Sequence, residues 1–352
     1  MRPETEEELA EMIRMAREPL SPLGGGSRLR PGEGQGLRLD LSGLTGVVLY
    51  EPAALTLVVR AGTPLAEVQA VLAAENQMLA FEPDARPGST IGGVAATNAS
   101  GARRVQAGAC RDAMLGLRFV TGQGEVIANG GRVMKNVTGY DLVKLLAGSR
   151  GRLGVLTEIA FKTAPAAPAS AVLALPGLTA AQAVPALTAA LTGPWDVSGA
   201  AWRPGQGALI RLEGLTGSVA IRRAALAERL AGFGAVEDAL WLGTLPKAAP
   251  EGDLWRIICR PSEAPALLAA LPEPEVIDWG GALIWLRLPP GAVPVLPAWS
   301  GHATRVTGDQ PLTLPAPDPI VARINASLRE RFDPRGIFAS DGPCRPISQM
   351  SS

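Results

Sequence analysis

The sequence is poor in the residues that hold metals and disulfides. Its 352 residues include three cysteines and one histidine. Cys110, Cys259 and Cys344 are far apart and form no C-x-x-C pair, which excludes a disulfide scaffold and a structural zinc site. An iron–sulfur cluster takes about four thiolates, so the chain holds no ordinary one. With His302 as the sole histidine, a multi-histidine metal site is excluded as well. Neither sign of charge predominates: 33 basic residues balance 33 acidic ones. That argues against nucleic acid as the main partner, because no surplus of positive charge is there to displace counterions. The amino terminus opens on acidic residues and lacks the apolar core of a signal peptide. The least charged stretch, 163–195, is interrupted by Pro165, Pro168, Pro176, Pro185 and Pro194, so no transmembrane segment is predicted. The Rossmann fingerprint G-x-G-x-x-G is missing too.

What the chain does have is small residues gathered in loops. The stretch Phe81–Gly108 centres on Pro87-Gly88-Ser89-Thr90-Ile91-Gly92-Gly93. Glycines and small hydroxyl residues let backbone bend tightly and approach a ligand closely. Successive N–H groups in such a turn form an anion nest, for which a diphosphate is the natural guest. A second loop, Leu23-Gly24-Gly25-Gly26-Ser27, precedes it, and a third, Gly148–Glu158, follows.

A chain of this length buries a sizeable core and is expected to form two domains. Thr5 to Arg17 reads as a helix, with Thr5 and Glu8 matching a capping box and Leu9, Met12, Ile13 and Ala16 on one face. Leu37–Leu41, Val47–Tyr50 and Leu55–Arg60 are strand-like. Thr63-Pro64 reads as an N-cap followed by proline at the first helical position, with Leu65, Val68, Val71 and Leu72 buried behind it. Met114–Thr121 and Glu125–Ala128 form a hairpin around Gly122-Gln123-Gly124, and Val155–Lys162 is a further strand. The Pro- and Ala-rich run from Ala164 to Pro176 reads as a domain boundary. Beyond it the strand candidates are Ala208–Leu212, Trp255–Cys259, Val276–Trp279 and Leu283–Leu288. The helix candidates are Ala180–Leu191, Ser218–Leu230 and Pro261–Leu271. A last helix starts at Asp318-Pro319, with Val321, Ile324 and Leu328 facing inward.

The order of the three loops resembles the FAD-binding half of the vanillyl-alcohol oxidase superfamily, the PCMH-type FAD domain. Lys135-Asn136-Val137-Thr138-Gly139-Tyr140-Asp141-Leu142 and the Gly148–Glu158 loop are similar to its branch of glycolate and D-lactate dehydrogenases. Ile277–Leu283 and Gly301-His302-Ala303-Thr304-Arg305 resemble the FAD-binding subunits of glycolate oxidases. The resemblance implies an α+β fold: a PCMH-type domain of two α+β subdomains over residues 1–165, an antiparallel-sheet cap over 166–317, and a carboxy-terminal helix and tail, 318–352, returning toward the FAD domain. It implies non-covalent FAD, with its diphosphate among the amides of Gly24, Gly25, Gly26 and Ser27 and of Pro87, Gly88, Ser89, Thr90, Gly92 and Gly93. Asn98, Ser100, Gly101 and Gly108 are then expected near the ribityl chain and ring, and Gly154 and Val155 as backbone partners of the flavin or its adenine side. Ala107-Gly108 stands where the family more often has Tyr-Gly, and Ala339-Ser340-Asp341-Gly342 where it often has Asn-Pro-Gly.

Oxidising a 2-hydroxy acid requires a cation for the carboxylate, a base for the hydroxyl proton and a hydride acceptor. The planar fork of arginine suits the first role, and Arg211, Arg256 and Arg305 fall on or beside cap strands. Strand arginines also form salt bridges, here with Glu213 or Asp278 in reach. His302 is the imidazole base available. The function implied is the FAD subunit of a glycolate dehydrogenase, converting glycolate to glyoxylate beside a second flavin subunit and passing electrons to an iron–sulfur subunit. The implied location is the cytoplasm, against the inner membrane through those partners. The alternatives are a largely non-catalytic assembly subunit and an independent FAD-dependent alcohol oxidase.

Overall fold

The computed structural model describes residues 1–132, 139–246, 251–308 and 318–339. Lys135–Thr138, Cys344 and Ser340–Gly342 lie outside them. The chain divides into two compact units. The first comprises Met1–Ser100, Ala109–Pro165 and the described part of Thr313–Ser352; the second comprises Gly101–Gly108 and the described part of Ala166–Leu312.

In the first unit, β1 (Leu20–Leu23) and β2 (Leu37–Asp40) form a parallel pair. Next come β3 (Val47–Glu51), β4 (Thr56–Arg60), β5 (Gln77–Met78), β6 (Met114–Val120), β7 (Val126–Gly130), β8 (Val155–Lys162) and β9 (Ala164–Pro165). Five of these make an antiparallel sheet in the order β3-β4-β8-β6-β7, and β5 pairs with β9. Helix Glu6–Met15 starts where predicted: the Thr5 hydroxyl accepts from the Glu8 amide at 3.1 Å, and the Glu8 carboxylate accepts from the Glu4 amide at 2.8 Å. Its Leu9, Ala10 and Ile13 are buried in a small core with Leu20, Val120 and Phe338. Helix Leu65–Ala74 buries Leu65, Val68 and Leu72 but is not capped by Thr63. That hydroxyl instead donates to the Arg60 carbonyl at 2.7 Å and accepts from the Gly46 amide at 2.9 Å, closing the end of β4.

The last helix, Pro319–Phe332, corrects another expectation. Val321 and Ile324 do not face inward; they are 48% and 52% exposed, and only the lower turns, through Leu328 and Phe332, lie against the main core. The chain then turns back on Asp333, whose carboxylate accepts from the amides of Ile337 and Phe338 at 2.9 Å each. Phe338 bridges to Leu20, and the Ala339 amide donates to the Leu20 carbonyl at 2.9 Å.

The second unit is an eight-stranded antiparallel sheet made of β10 (Ala169–Leu175), β11 (Val197–Arg203), β12 (Gly207–Gly214), β13 (Glu237–Asp238), β14 (Asp253–Ile258), β15 (Val276–Asp278), β16 (Leu283–Leu288) and β17 (His302–Arg305). Their spatial order is β13-β10-β12-β11-β15-β16-β14-β17. Helices Ala180–Leu191, Thr216–Leu230 and Ala264–Ala270 cover one face, with Leu187, Leu226 and Leu267 against Ile210, Trp255 and Ile284. β10 falls inside the run read as a boundary: Ala169–Leu175 is small and apolar but pairs on both sides, with β12 and β13.

Candidate functional site

The first unit carries a pocket where its three small-residue loops meet. It is lined by Gly24, Gly25, Gly26, Ser27, Thr90, Gly92, Gly93, Gly154 and Val155, with Arg28, Glu33, Thr97, Arg150, Arg152 and Ala339 among the further lining residues. Backbone bonds set the loops in place. The Ile91 and Gly92 amides donate to Thr63 and Ala61 carbonyls at 3.0 and 2.7 Å, and the Gly148 and Arg150 amides to Ala95 and Ala96 carbonyls at 3.0 and 2.8 Å. Close approach explains two glycines. A Cβ on Gly25 would come within 1.6 Å of the Gly88 carbonyl oxygen, and one on Gly24 within 2.2 Å of the Thr90 hydroxyl. Thr90 itself caps helix Ile91–Ala96 by accepting from the Gly93 amide at 3.2 Å.

Side chains complete the tie. The Arg28 guanidinium donates to the Asp84 carboxylate at 2.8 Å, to the Asp84 carbonyl at 2.6 Å and to the Ser89 hydroxyl at 3.1 Å. Arg86 also pairs with Asp84 and reaches the Ser27 carbonyl at 3.4 Å. Arg150, at φ +57°, donates to the Glu33 carboxylate at 2.6 Å and to the Arg28 carbonyl at 2.7 Å, while Arg152 stands 3.4 Å from Glu33. Burial would push the Glu33 carboxyl upward, but its bonds and charge contacts with Arg150, and with Arg30, outweigh that and hold it below the ordinary glutamate range. A carboxylate held low stabilises the folded state above its unfolded pKa, and the contribution is lost as pH falls through the folded value. The first unit is therefore expected to lose stability below about pH 4, and Glu33→Gln to flatten that loss. Thermal melts against pH check it.

The other expected cofactor residues are placed differently. Pro87 and Gly88 form the turn behind Gly25, and Ser89 is buried with its hydroxyl on Arg28. The Asn98 side chain accepts from the Arg111 amide and the Ser100 hydroxyl from the Cys110 amide, both at 3.0 Å, pinning helix Cys110–Ala113. Gly101 and Gly108 belong to the second unit. There the Gly101 carbonyl accepts from the Trp279 indole at 2.9 Å, and Gly108 ends helix Arg104–Ala107 at φ +82°. Sequence reasoning quoted Arg150 and Arg152 only as loop residues and did not single out Arg28 or Glu33. The available signal was charge set directly beside glycine loops.

The four candidates for substrate chemistry do not gather. Arg211 is buried, 3.0 Å from Glu213, bonded to the Ser198 hydroxyl at 3.1 Å and stacked on Trp241 at 4.7 Å. Arg305 is buried 3.1 Å from Asp253. Register pairs Arg305 with Trp255 and Thr304 with Arg256. Alternation along β14 thus sends Arg305 to the helix-covered face and Arg256 to the other, where Arg256 and Arg104 each lie 5.3 Å from the Trp279 ring. Arg211 alternates with Ile210 and Leu212 of the main core and so lies, like Arg256, on the face opposite the three helices. His302 is exposed on the edge strand β17. The expectation that the three arginines converge is corrected by this pairing.

Residues 1–129 match the family model described as an FAD binding domain. The chain is 37% identical over 328 residues to glycolate oxidase subunit GlcE of Escherichia coli, covering 88% of this chain and 87% of that one. The chain belongs to the GlcE family of glycolate oxidase subunits. The chain also shares 33% identity with a mitochondrial D-lactate dehydrogenase [cytochrome] of Arabidopsis thaliana over 46% of this chain and 29% of that one, and 33% with glycolate oxidase subunit GlcD of Bacillus subtilis over 46% and 36%. Two crystal forms of alkyldihydroxyacetonephosphate synthase share the fold, with TM-scores of 0.63 and 0.66 at 18% and 16% identity, each over 96% of this chain and 75% of the other. The chain's fold is thus the PCMH-type FAD-binding fold, α+β with antiparallel sheets, and FAD is its cofactor. The pocket fits that group: backbone at Gly24 and Gly25 that tolerates no Cβ, hydroxyls of Ser27 and Thr90, and the arginines Arg28, Arg150 and Arg152 in its lining suit an anionic dinucleotide.

Proposed function

We propose that the chain is the FAD-binding subunit of a complex that oxidises a small 2-hydroxy acid, glycolate to glyoxylate, with a second flavin subunit beside it and an iron–sulfur subunit taking the electrons. Its class, an FAD-dependent oxidoreductase, comes with the family; the substrate and partners are our reading. The observation that carries it is the meeting of the Gly24–Ser27, Thr90–Gly93 and Gly151–Leu156 segments on one pocket. When bound, FAD supplies the two-electron acceptor. The chain's part is to hold it, with the Gly24–Ser27 and Thr90–Gly93 backbones toward the diphosphate and Gly154 and Val155 completing the lining.

Attachment is non-covalent in this reading. Cys110 is fully buried and burial pushes its thiol far above the ordinary range, which suppresses the thiolate that a covalent link requires. Acid precipitation is expected to release all yellow colour into the supernatant; colour retained by the pellet would overturn this point.

One observation favours a division of labour within the complex. Arg211 and Arg305 are each matched by a buried or half-buried carboxylate and lie on opposite sheet faces, and His302 sits at an exposed edge. That supports a carrier or assembly role for this chain, with the hydroxyl chemistry needing a partner. No helix of the described residues is long and apolar enough to cross a membrane, and the reading places the complex in the cytoplasm, at the membrane through its partners. The isolated chain is expected to be yellow, to stay oxidised when glycolate or D-lactate is added without oxygen, and to bleach once the partner subunits are present. Bleaching of the isolated chain would instead make it an autonomous dehydrogenase, and purification without any flavin would defeat the whole reading.

A further inference from the structure

We propose that Arg28 is a side-chain ligand of the bound dinucleotide, donating its Nε–H to a diphosphate oxygen. The proposal rests on the reading of this pocket as the FAD site. Arg28 follows the first glycine loop directly and lines the pocket with it. Its side chain is 7% exposed. Both terminal nitrogens are committed to residues outside the pocket's lining: Nη1 to the Asp84 carboxylate at 2.8 Å, Nη2 to the Asp84 carbonyl at 2.6 Å and the Ser89 hydroxyl at 3.1 Å. The guanidinium is therefore fixed at its far end, while Nε is buried without a partner. Buried donors are nearly always satisfied, and one that is not marks a place where a ligand completes the set. The acceptor that best satisfies a guanidinium N–H is an anionic oxygen.

Charge points the same way. The ion pairs that join the loops set two guanidiniums, Arg28 and Arg86, on one carboxylate, Asp84. The amide nest thus works together with a positioned arginine that is anchored on the loop opposite its own.

The test uses the full chain stripped of flavin. FAD is titrated by the quenching of its fluorescence, and ADP by calorimetry, into wild type and Arg28→Lys. Lysine keeps the charge and reaches Asp84, but has no donor at the Nε position. Arg28→Lys is expected to weaken FAD and ADP alike by roughly tenfold or more. In the wild-type protein, the Arg28 Nε–H resonance, assigned through bonds to its side-chain carbons, is expected to move downfield on adding FAD or ADP and to stay in place with riboflavin. The spectrum needs only wild-type protein and so decides the matter even if the variant folds poorly. Arg28→Lys binding FAD as wild type does, or an Nε–H resonance indifferent to FAD and ADP, overturns the proposal while leaving the site reading intact. Wild-type protein that binds neither FAD nor ADP overturns both.

Discussion

Gly25→Ala is expected to abolish flavin retention. The added Cβ would fall 1.6 Å from the Gly88 carbonyl oxygen and 2.6 Å from its carbon. Both are backbone atoms, so no rotamer change relieves the clash. Gly88 is itself at φ +71°, which restricts how its turn can retreat. The two loops must separate by well over an ångström, and the first of them lines the pocket. Overpacking usually costs about 1–3 kcal/mol; an immovable contact belongs at the upper end, and about 3 kcal/mol taken from binding is more than a hundredfold in affinity. Gly131→Ala, outside the pocket, is the control, because a Cβ there meets nothing within 4 Å. The measurement is the flavin-to-protein absorbance ratio after purification, followed by FAD titration. A Gly25→Ala protein as yellow as wild type would mean that the loops are not the flavin's cradle.

That contrast also explains what was legible in the sequence. A glycine's role in a tight approach is backbone geometry, and a run such as Gly24-Gly25-Gly26-Ser27 announces it locally. The hairpin of β6 and β7 was legible for the same reason, since a Gly-x-Gly turn divides two apolar runs. The arginines of the pocket were not. Arg28 finds its partner Asp84 56 residues away, and Arg150 reaches the Arg28 carbonyl across 122. Whether an arginine beside a glycine loop is solvated or fixed depends on such remote partners, which no local pattern encodes. β10 was hidden similarly: alanine has little strand preference of its own, and Ala169–Leu175 is a strand because β12 and β13 flank it. In the last helix the spacing of Val321, Ile324 and Leu328 was read correctly as one stripe, but periodicity does not say where along a stripe the core ends. Its first turns stand clear of it.

Arg305→Met is expected to lower the melting temperature of the second unit by about 10 °C, a result that separates a structural role from a catalytic one. Arg305 and Asp253 are 5% and 4% exposed at the side chain and stand 3.1 Å apart. Removing the cation strands a carboxylate in a nearly dry site. Breaking a buried pair in this way costs about 3–5 kcal/mol, much of it the desolvation of the charge left behind. Asp253 retains the Gly291 amide at 3.0 Å, which favours the lower half of that range. For a unit of this size each kcal/mol is worth roughly 2–4 °C. The double replacement Asp253→Asn with Arg305→Met removes both charges and is expected to recover most of the loss, since replacing a buried pair as a whole is often nearly neutral. A carboxylate-binding arginine predicts the reverse: a single variant that melts like wild type, and a double variant no better than the single. Calorimetry of the three proteins distinguishes these. Recovery in the double variant would remove Arg305 from the list of groups that meet substrate, and would leave Arg256, stacked on Trp279 on the face opposite the three helices, as a cap-strand arginine in which to look for that chemistry.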